Sequence, residues 1–372
     1  MHIGLLTGGG DVPGLNSTLY RLVVGAQQRG HRVTGFRRGW QGLAALEPAD
    51  GDSRREHTVA LDAAAVDGIS PLGGTVLRSS RTNPSRMASA DGGPPTDATG
   101  RVLENLEALG VDVLVAIGGD DTLGYAHRLE REGVNVLGIP KTMDNDVGGT
   151  EVCLGFATCV ARSVQYLQQL RTCSQSHERF LVVEVMGRNN GSSCLLPAWL
   201  ADADRALPAE VPFDLEALCD KLAADRRGRD GRYALCVVSE GAAPKGGQIM
   251  ESGPADAFGH RKLGGIGAWL SAELKARTQI GIVEQKLGYL VRSGTPDALD
   301  LALTYAFASL ALELIDAGTF GRLVAVQGGR YRHVPLSLAA TPATINLARW
   351  YDADEMRPTL RGAHDLPLYG LA

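Results

Sequence analysis

Two short stretches carry side chains that could handle a phosphoryl group. The first is Gly118-Gly119-Asp120-Asp121-Thr122, which ends an apolar run over 113–117. The second is Pro140-Lys141-Thr142-Met143-Asp144-Asn145-Asp146, which ends an apolar run over 134–139. Gly118 and Gly119 lack a Cβ, so backbone N–H groups there can come close to a phosphate. Asp120 and Asp121 are hard oxygen donors of the kind a magnesium ion takes. Lys141 is a compact cation suited to a phosphoryl oxygen. Asp144 and Asp146 stand two apart, so on an extended segment they share one face. One of them could accept a proton. A metal, a cation and a base suit phosphoryl transfer, which depends mostly on positioning and charge neutralisation.

The elements that must position these groups are a strand, a turn, a helix and a second strand. In open parallel α/β sheets, ligands sit beyond the carboxyl ends of the strands. A third turn, Thr7-Gly8-Gly9-Gly10-Asp11, follows a short strand over 2–6. It precedes a helix with Leu15, Leu19, Leu22, Val23 and Ala26 on one face. A Gly-rich turn before a helix is an anion site by backbone geometry and dipole. It fits a dinucleotide as well, but the GxGxxG fingerprint is absent and no obvious acidic partner follows about 20 residues on. Further strands are expected over 31–36, 180–185, 233–238 and 322–326. Helices are expected over 155–170, 214–224, 264–277 and 296–317. Polar loops are expected over 50–56, 88–98 and 226–232, and a docking tail over 356–372.

The 372 residues suffice for one large or two medium α/β domains. Hydrophobic content of 44% and charged content of 21% are ordinary for a globular protein. A net charge of −5 argues against a general nucleic-acid surface. No apolar run is expected to reach the length of a membrane span. The amino terminus lacks the basic region and cleavage site of a signal peptide. The six cysteines show no CxxC and read as reduced thiols of a cytoplasmic protein. The eight histidines show no metal-ligand spacing.

Taken together, the two reactive stretches resemble the phosphofructokinase family, and within it the pyrophosphate-dependent branch. In the ATP-using branch, glycine usually stands at the positions of Asp121 and Lys141. The resemblance implies that Asp121 excludes ATP by clashing with its α-phosphate, and that Lys141 supports the transferring phosphate. It implies that Asp144 takes the hydroxyl proton and that Arg188 helps neutralise the migrating group. Gly10, Arg81, Gly119, Asp120 and Thr122 would hold the donor, with Asp120 binding Mg2+. Thr142, Asp144, Asp146, Arg179, Met186, Gly187, Arg188, Glu240, Tyr289 and Arg292 would hold the sugar phosphate. Arg179 would do so from across a subunit boundary.

The implied fold is α/β, with two Rossmann-like three-layer domains, mostly parallel sheets, and the active site in the cleft between them. The donor domain would span 1–149 and the smaller sugar-phosphate domain 150–315, with part of the chain returning to the first. Residues 316–372 would pack back. The implied partners are pyrophosphate and a sugar phosphate, with neither nucleic acid nor membrane. A homodimer or homotetramer with shared sites is implied.

Three departures fall on the sugar-phosphate side. A family arginine falls on Val283, Asn189-Asn190 replaces an aromatic or histidine and a small residue, and Ser293 replaces a glycine. Lys286 is a nearby cation that could supply the lost charge. The expected reaction is Mg-dependent, reversible phosphate transfer from pyrophosphate to the 1-hydroxyl of fructose 6-phosphate. The departures leave open another acceptor, such as sedoheptulose 7-phosphate, and a catalytically silent homologue.

Overall fold

The computed structural model describes residues 1–87, 93–255, 258–259, 261–362 and 364. Among these, eleven strands form two sheets, and two short strand pairs stand apart. The apolar runs around the reactive stretches are strands with every residue buried, β1 (His2–Thr7), β4 (Val113–Gly118) and β5 (Val136–Pro140); the partly exposed β2 (Arg32–Phe36) and β3 (Thr58–Leu61) extend the sheet beyond β1. Continuous apolar strands such as β1, β4 and β5 belong in the middle of a parallel sheet covered on both faces. The second half of the chain supplies β6 (Phe180–Val185), β7 (Arg205–Leu207), β8 (Ala234–Ser239) and β9 (Ile282–Lys286). It then supplies β10 (Arg322–Gln327) and β11 (Arg330–Pro335).

The first sheet runs β11-β10-β5-β4-β1-β2-β3. Its inner pairs are parallel, and only the edge pairs β2–β3 and β10–β11 are antiparallel. The winding direction reverses between β1 and β4, where Thr7 pairs with Ile117. Ligands of doubly wound sheets bind at such a reversal. The second sheet runs β9-β6-β8-β7 and is parallel throughout.

The helix Ala298–Asp316 corrects one expectation. It is long and apolar enough, by length and composition, to cross a membrane, with mean hydropathy 1.6. Half of it is buried inside the fold. Leu303, Phe307, Ala311 and Ile315 are covered as the helix lies along Leu15–Gln28. A helix apolar on most of its surface is what a packed interior position requires.

Several elements went unexpected. The polar stretch over 50–56 is largely the helix Gly51–His57, because Asp50 caps it by accepting from the N–H groups of Asp52 and Ser53. The helix Ser192–Leu200 and the strands β3, β7, β9 and β11 were not anticipated. The run over 226–232 begins as the last turn of Leu215–Arg227, and Arg229 pairs with Asp204 at 2.8 Å, so it is only partly a solvated loop. Of the expected loop over 88–98, residues 88–92 lie outside the described residues, as do residues 363 and 365–372 of the tail. The described tail returns to β7. Arg357 donates to the Asp204 carbonyl at 3.1 Å, and the Tyr351 hydroxyl to that of Ala206 at 2.9 Å.

Candidate active site

Three turns meet at the carboxyl edge of the first sheet. The Gly8 N–H donates to Ile117 O at 3.0 Å, and the Lys141 N–H to Gly118 O at 2.9 Å. Thr122, almost fully buried, is wedged among them. A Cβ on Gly8 would fall 2.5 Å from Thr122 Oγ1, and one on Gly118 would fall 2.3 Å from Thr122 Cβ. These two glycines are therefore required by packing as well as by access. A Cβ on Gly10 would fall 1.8 Å from Arg292 Nη2, so the glycine there makes room for an arginine. Arg292 is itself buried and donates through Nε to Asp11 O at 2.9 Å.

Asp120 and Asp121 form the first turn of the helix Asp120–Arg131, where the helix dipole favours acidic groups. Lys141 is buried at 3% exposure, and its Nζ donates to Gly10 O at 2.7 Å. Burial, reinforced by Arg292 and Arg81, pushes its pKa down to about 8. Gly10, Arg81, Gly119, Asp120, Asp121 and Thr122 all line one cavity of about 150 Å3 together with Lys141.

Thr142, Asp144 and Asp146 line the same cavity. The segment between them is not extended, as the shared-face argument supposed. Asn145 has φ +56°, a left-handed turn. Its side chain fixes that turn, donating to Glu151 O at 2.9 Å and accepting from the Cys153 N–H at 2.8 Å. Asparagine tolerates this conformation better than most residues. Asp144 Oδ1 is buried without a hydrogen-bond partner. Burial, with Asp146 and Glu240 nearby, raises the Asp144 pKa well above the usual carboxylate range, against the pull of Arg292 and Arg188. Burial and Asp120 likewise raise that of Asp146, opposed by a hydrogen bond from Thr142.

The second sheet closes the opposite wall. Met186 and Arg188 follow β6, Glu240 follows β8, and all three line the cavity with Arg292. Burial raises the Glu240 pKa, opposed by Lys286. Tyr289 is 80% exposed and lines a larger adjoining cavity of about 700 Å3. Its ring centroid is 5.6 Å from Arg292 Cζ.

Other expected residues stand elsewhere. Gly187 lines neither of these two cavities. Its φ of +124° and the Ser239 hydroxyl donating to its carbonyl at 2.7 Å make it the turn that aims Arg188. Arg179 precedes β6, at the end of the strand away from the cleft. A six-residue strand puts it about 20 Å from the carboxyl end. Within one chain it is exposed and lines neither cavity.

The three departures separate. Asn189 is exposed and lines the catalytic cavity. Asn190 is buried and structural, accepting from the Ser192 N–H at 2.9 Å and donating to Ala343 O at 2.9 Å. Ser293 uses its backbone carbonyl to hold Arg162, away from both cavities. Val283 packs toward the core opposite Leu181, three residues short of Lys286. Lys286 does reach the larger cavity, but its Nζ lies 2.5 Å from Glu184 Oε1 and 3.9 Å from Glu240 Oε2. Its charge is thus shared with two carboxylates of the same wall. Sequence reasoning passed over Asp11 and Phe258, which also line the cleft. No local pattern marks Phe258, whereas Asp11 lay inside a turn already singled out.

The family model described as Phosphofructokinase matches residues 2–315. The chain belongs to the phosphofructokinase family. Within that family it is 41% identical to a Streptomyces coelicolor protein named pyrophosphate–fructose 6-phosphate 1-phosphotransferase, over 91% of this chain and 94% of that one. It is 37% identical to an ATP-dependent 6-phosphofructokinase 3 of the same organism, over 95% and 99%. The crystal structure of a pyrophosphate-dependent phosphofructokinase from Nitrosospira multiformis superposes with TM-score 0.80 at 17% identity, covering 99% of this chain and 95% of that one. That likeness shows a phosphofructokinase fold. Both donor types occur among these relatives.

Proposed function

We propose that this phosphofructokinase transfers phosphate from pyrophosphate to the 1-hydroxyl of fructose 6-phosphate, reversibly and with Mg2+, giving fructose 1,6-bisphosphate. The observation that carries the reading is that Asp121 and Lys141 line one small cavity. Asp121 also lines a neighbouring pocket with Gly124, Tyr125 and Arg128. A donor with a third phosphate would have to pass that carboxylate to reach the pocket. A two-phosphate donor would not. The 41% relative's name supports the same choice.

In this account the first sheet binds the donor and the second binds the sugar phosphate. Backbone N–H groups at Gly10 and Gly119 cradle the pyrophosphate, and Arg81 steadies its charge. Tyr289 and Arg292 hold the acceptor phosphate, and Glu240 accepts from a sugar hydroxyl. Asp144 takes the proton of the 1-hydroxyl as that oxygen attacks phosphorus. The bond to the departing phosphate breaks, and the electron pair leaves with it. Lys141 and Arg188 offset charge on the migrating group.

Among the described residues no three His, Cys, Asp or Glu side chains cluster tightly enough to cage a metal alone. That suits Mg2+, which is commonly held by one or two carboxylates plus substrate phosphates. Asp120 fits as its protein ligand, since its charge already disfavours ionisation of Asp146 and a cation there would relieve that. Bound there, the ion would neutralise pyrophosphate oxygens.

Arg179 lies too far away to serve its own cleft, which supports a homodimer or homotetramer in which it serves a neighbour's. The free cysteines and sugar-phosphate chemistry support a cytoplasmic, glycolytic role. Asn189 in the cavity wall favours a second reading, the same donor with a longer sugar phosphate such as sedoheptulose 7-phosphate. Phosphorus NMR of protein, Mg2+, pyrophosphate and fructose 6-phosphate tests the first reading. The expected result is loss of pyrophosphate matched by orthophosphate and a new sugar phosphate ester. Consumption of pyrophosphate with orthophosphate as the only product would refute it.

A further inference from the structure

The larger cavity at the mouth of the cleft has a lopsided charge. Arg78, Arg81, Arg188, Lys262, Lys286 and Arg292 line it against only Asp11 and Glu240. Much of the positive charge is already engaged. Lys286 meets Glu184, Arg188 donates to Arg261 O at 2.8 Å, and Arg292 donates to Asp11 O. Arg78 and Lys262 differ. Neither side chain forms a hydrogen bond or ion pair among the described residues.

Arg78 has a second property. Its φ is +60°, in the left-handed region that favours glycine. Eight non-glycine residues have positive φ among the described residues, and of these only Arg78 lines either cleft cavity. The turn does not need the arginine side chain to hold its shape. The Arg78 N–H donates to Thr75 O at 3.0 Å, the Thr7 hydroxyl to Arg78 O at 3.1 Å, and the Arg38 N–H to Leu77 O at 2.8 Å. Arg78 is exposed and its charge acts on Glu56 only through space, so a left-handed backbone kept on the cavity wall points to use of that side chain.

We infer that Arg78 binds the phosphate of the sugar-phosphate acceptor from the donor-loop wall, in the cavity that Lys262 also lines. The inference rests on the proposed phosphotransfer and adds a specificity residue to it. A guanidinium fork matches phosphate oxygens in geometry as well as charge. At this position it supplies a cation to the acceptor side, where Val283 carries none. An anion held between Arg78 and Lys262 also ties the two walls of the cleft together.

Arg78→Gly tests this without threatening the fold, since glycine suits φ +60°. Arg78→Lys keeps the charge on the same backbone. Calorimetric binding of fructose 6-phosphate and steady-state KM values for both substrates are measured on each protein, with thermal melting alongside. Arg78→Gly is expected to weaken fructose 6-phosphate about tenfold in Kd and KM, the worth of one charge-assisted hydrogen bond. Its KM for pyrophosphate stays near the wild-type value and its Tm does not fall. Arg78→Lys recovers part of the loss. Unchanged fructose 6-phosphate binding in Arg78→Gly, or a loss confined to pyrophosphate, overturns the inference while leaving the phosphotransfer intact. A wild-type protein that neither binds nor phosphorylates fructose 6-phosphate overturns both.

Discussion

The Lys141 ammonium donates to the carbonyl oxygen of Gly10 across 2.7 Å, joining the end of β5 to the turn after β1. The turn after β1 flanks the reversal of a doubly wound sheet, and Lys141 reaches it from the turn after β5, buried, with Asp144 lining the same cavity. A cation and an unpartnered carboxylate thus face one small space from adjacent turns.

Asp144→Ser removes the proposed base and leaves a small hydroxyl. Turnover should fall roughly 10²-fold or more, with little change in the KM for pyrophosphate. A rate within a factor of two of wild type would take the proton-accepting role away from Asp144.

Asp121→Gly removes the carboxylate between the catalytic cavity and its neighbour. Measurable phosphoryl transfer from ATP should appear, and transfer from pyrophosphate should weaken. If ATP remains inert and pyrophosphate use is unaffected, Asp121 does not choose the donor.

The pH profile of kcat/KM should be bell-shaped. Asp144 must be ionised to accept a proton, and its pKa is raised, chiefly by burial and Asp146. The acid limb should therefore lie above the range of an ordinary carboxylate. Lys141 must be protonated, and burial has lowered its pKa to about 8. Activity should thus be lost as pH climbs through about 8. Lys141→Arg, whose guanidinium stays charged, should move the basic limb upward even as kcat falls. A basic limb that stays in place would assign it to another group.

How much of this was legible beforehand varied with the physics of each element. Strands β1, β4 and β5 were readable because burial on both faces leaves an unbroken apolar run. Strand β9 was not, because it is an edge strand that tolerates Glu284, Gln285 and Lys286. Asp120, Asp121, Lys141 and Asp144 could be assembled from sequence because each sits where an apolar run stops. The seating of Arg292 over Gly10 could not, since no local pattern joins residues so distant in the chain. The left-handed Asn145 was likewise hidden, as it depends on contacts with Glu151 and Cys153.

A similar long-range tie joins the two walls of the site. The Ala343 N–H donates to Asp146 O at 2.8 Å, and Ala343 O accepts from Asn190 Nδ2 at 2.9 Å. One residue of the C-terminal part of the chain thereby links the Asp144 loop to the segment following Arg188. Asn190→Ala should cost about 1–2 kcal/mol of stability, since it removes a hydrogen bond to the partly buried Ala343 carbonyl and one from the buried Ser192 N–H. It should also lower kcat by misaligning the walls. Thermal melting and kcat measured together decide the point: a stability loss with kcat unchanged would make the tie purely structural.

The most direct test of the central claim is a comparison of donors on purified protein with Mg2+ and saturating fructose 6-phosphate. The account predicts fast turnover with pyrophosphate and none detectable with ATP. Turnover with ATP equal to or above that with pyrophosphate would contradict it, because Asp121 and Lys141 would then not be setting the donor.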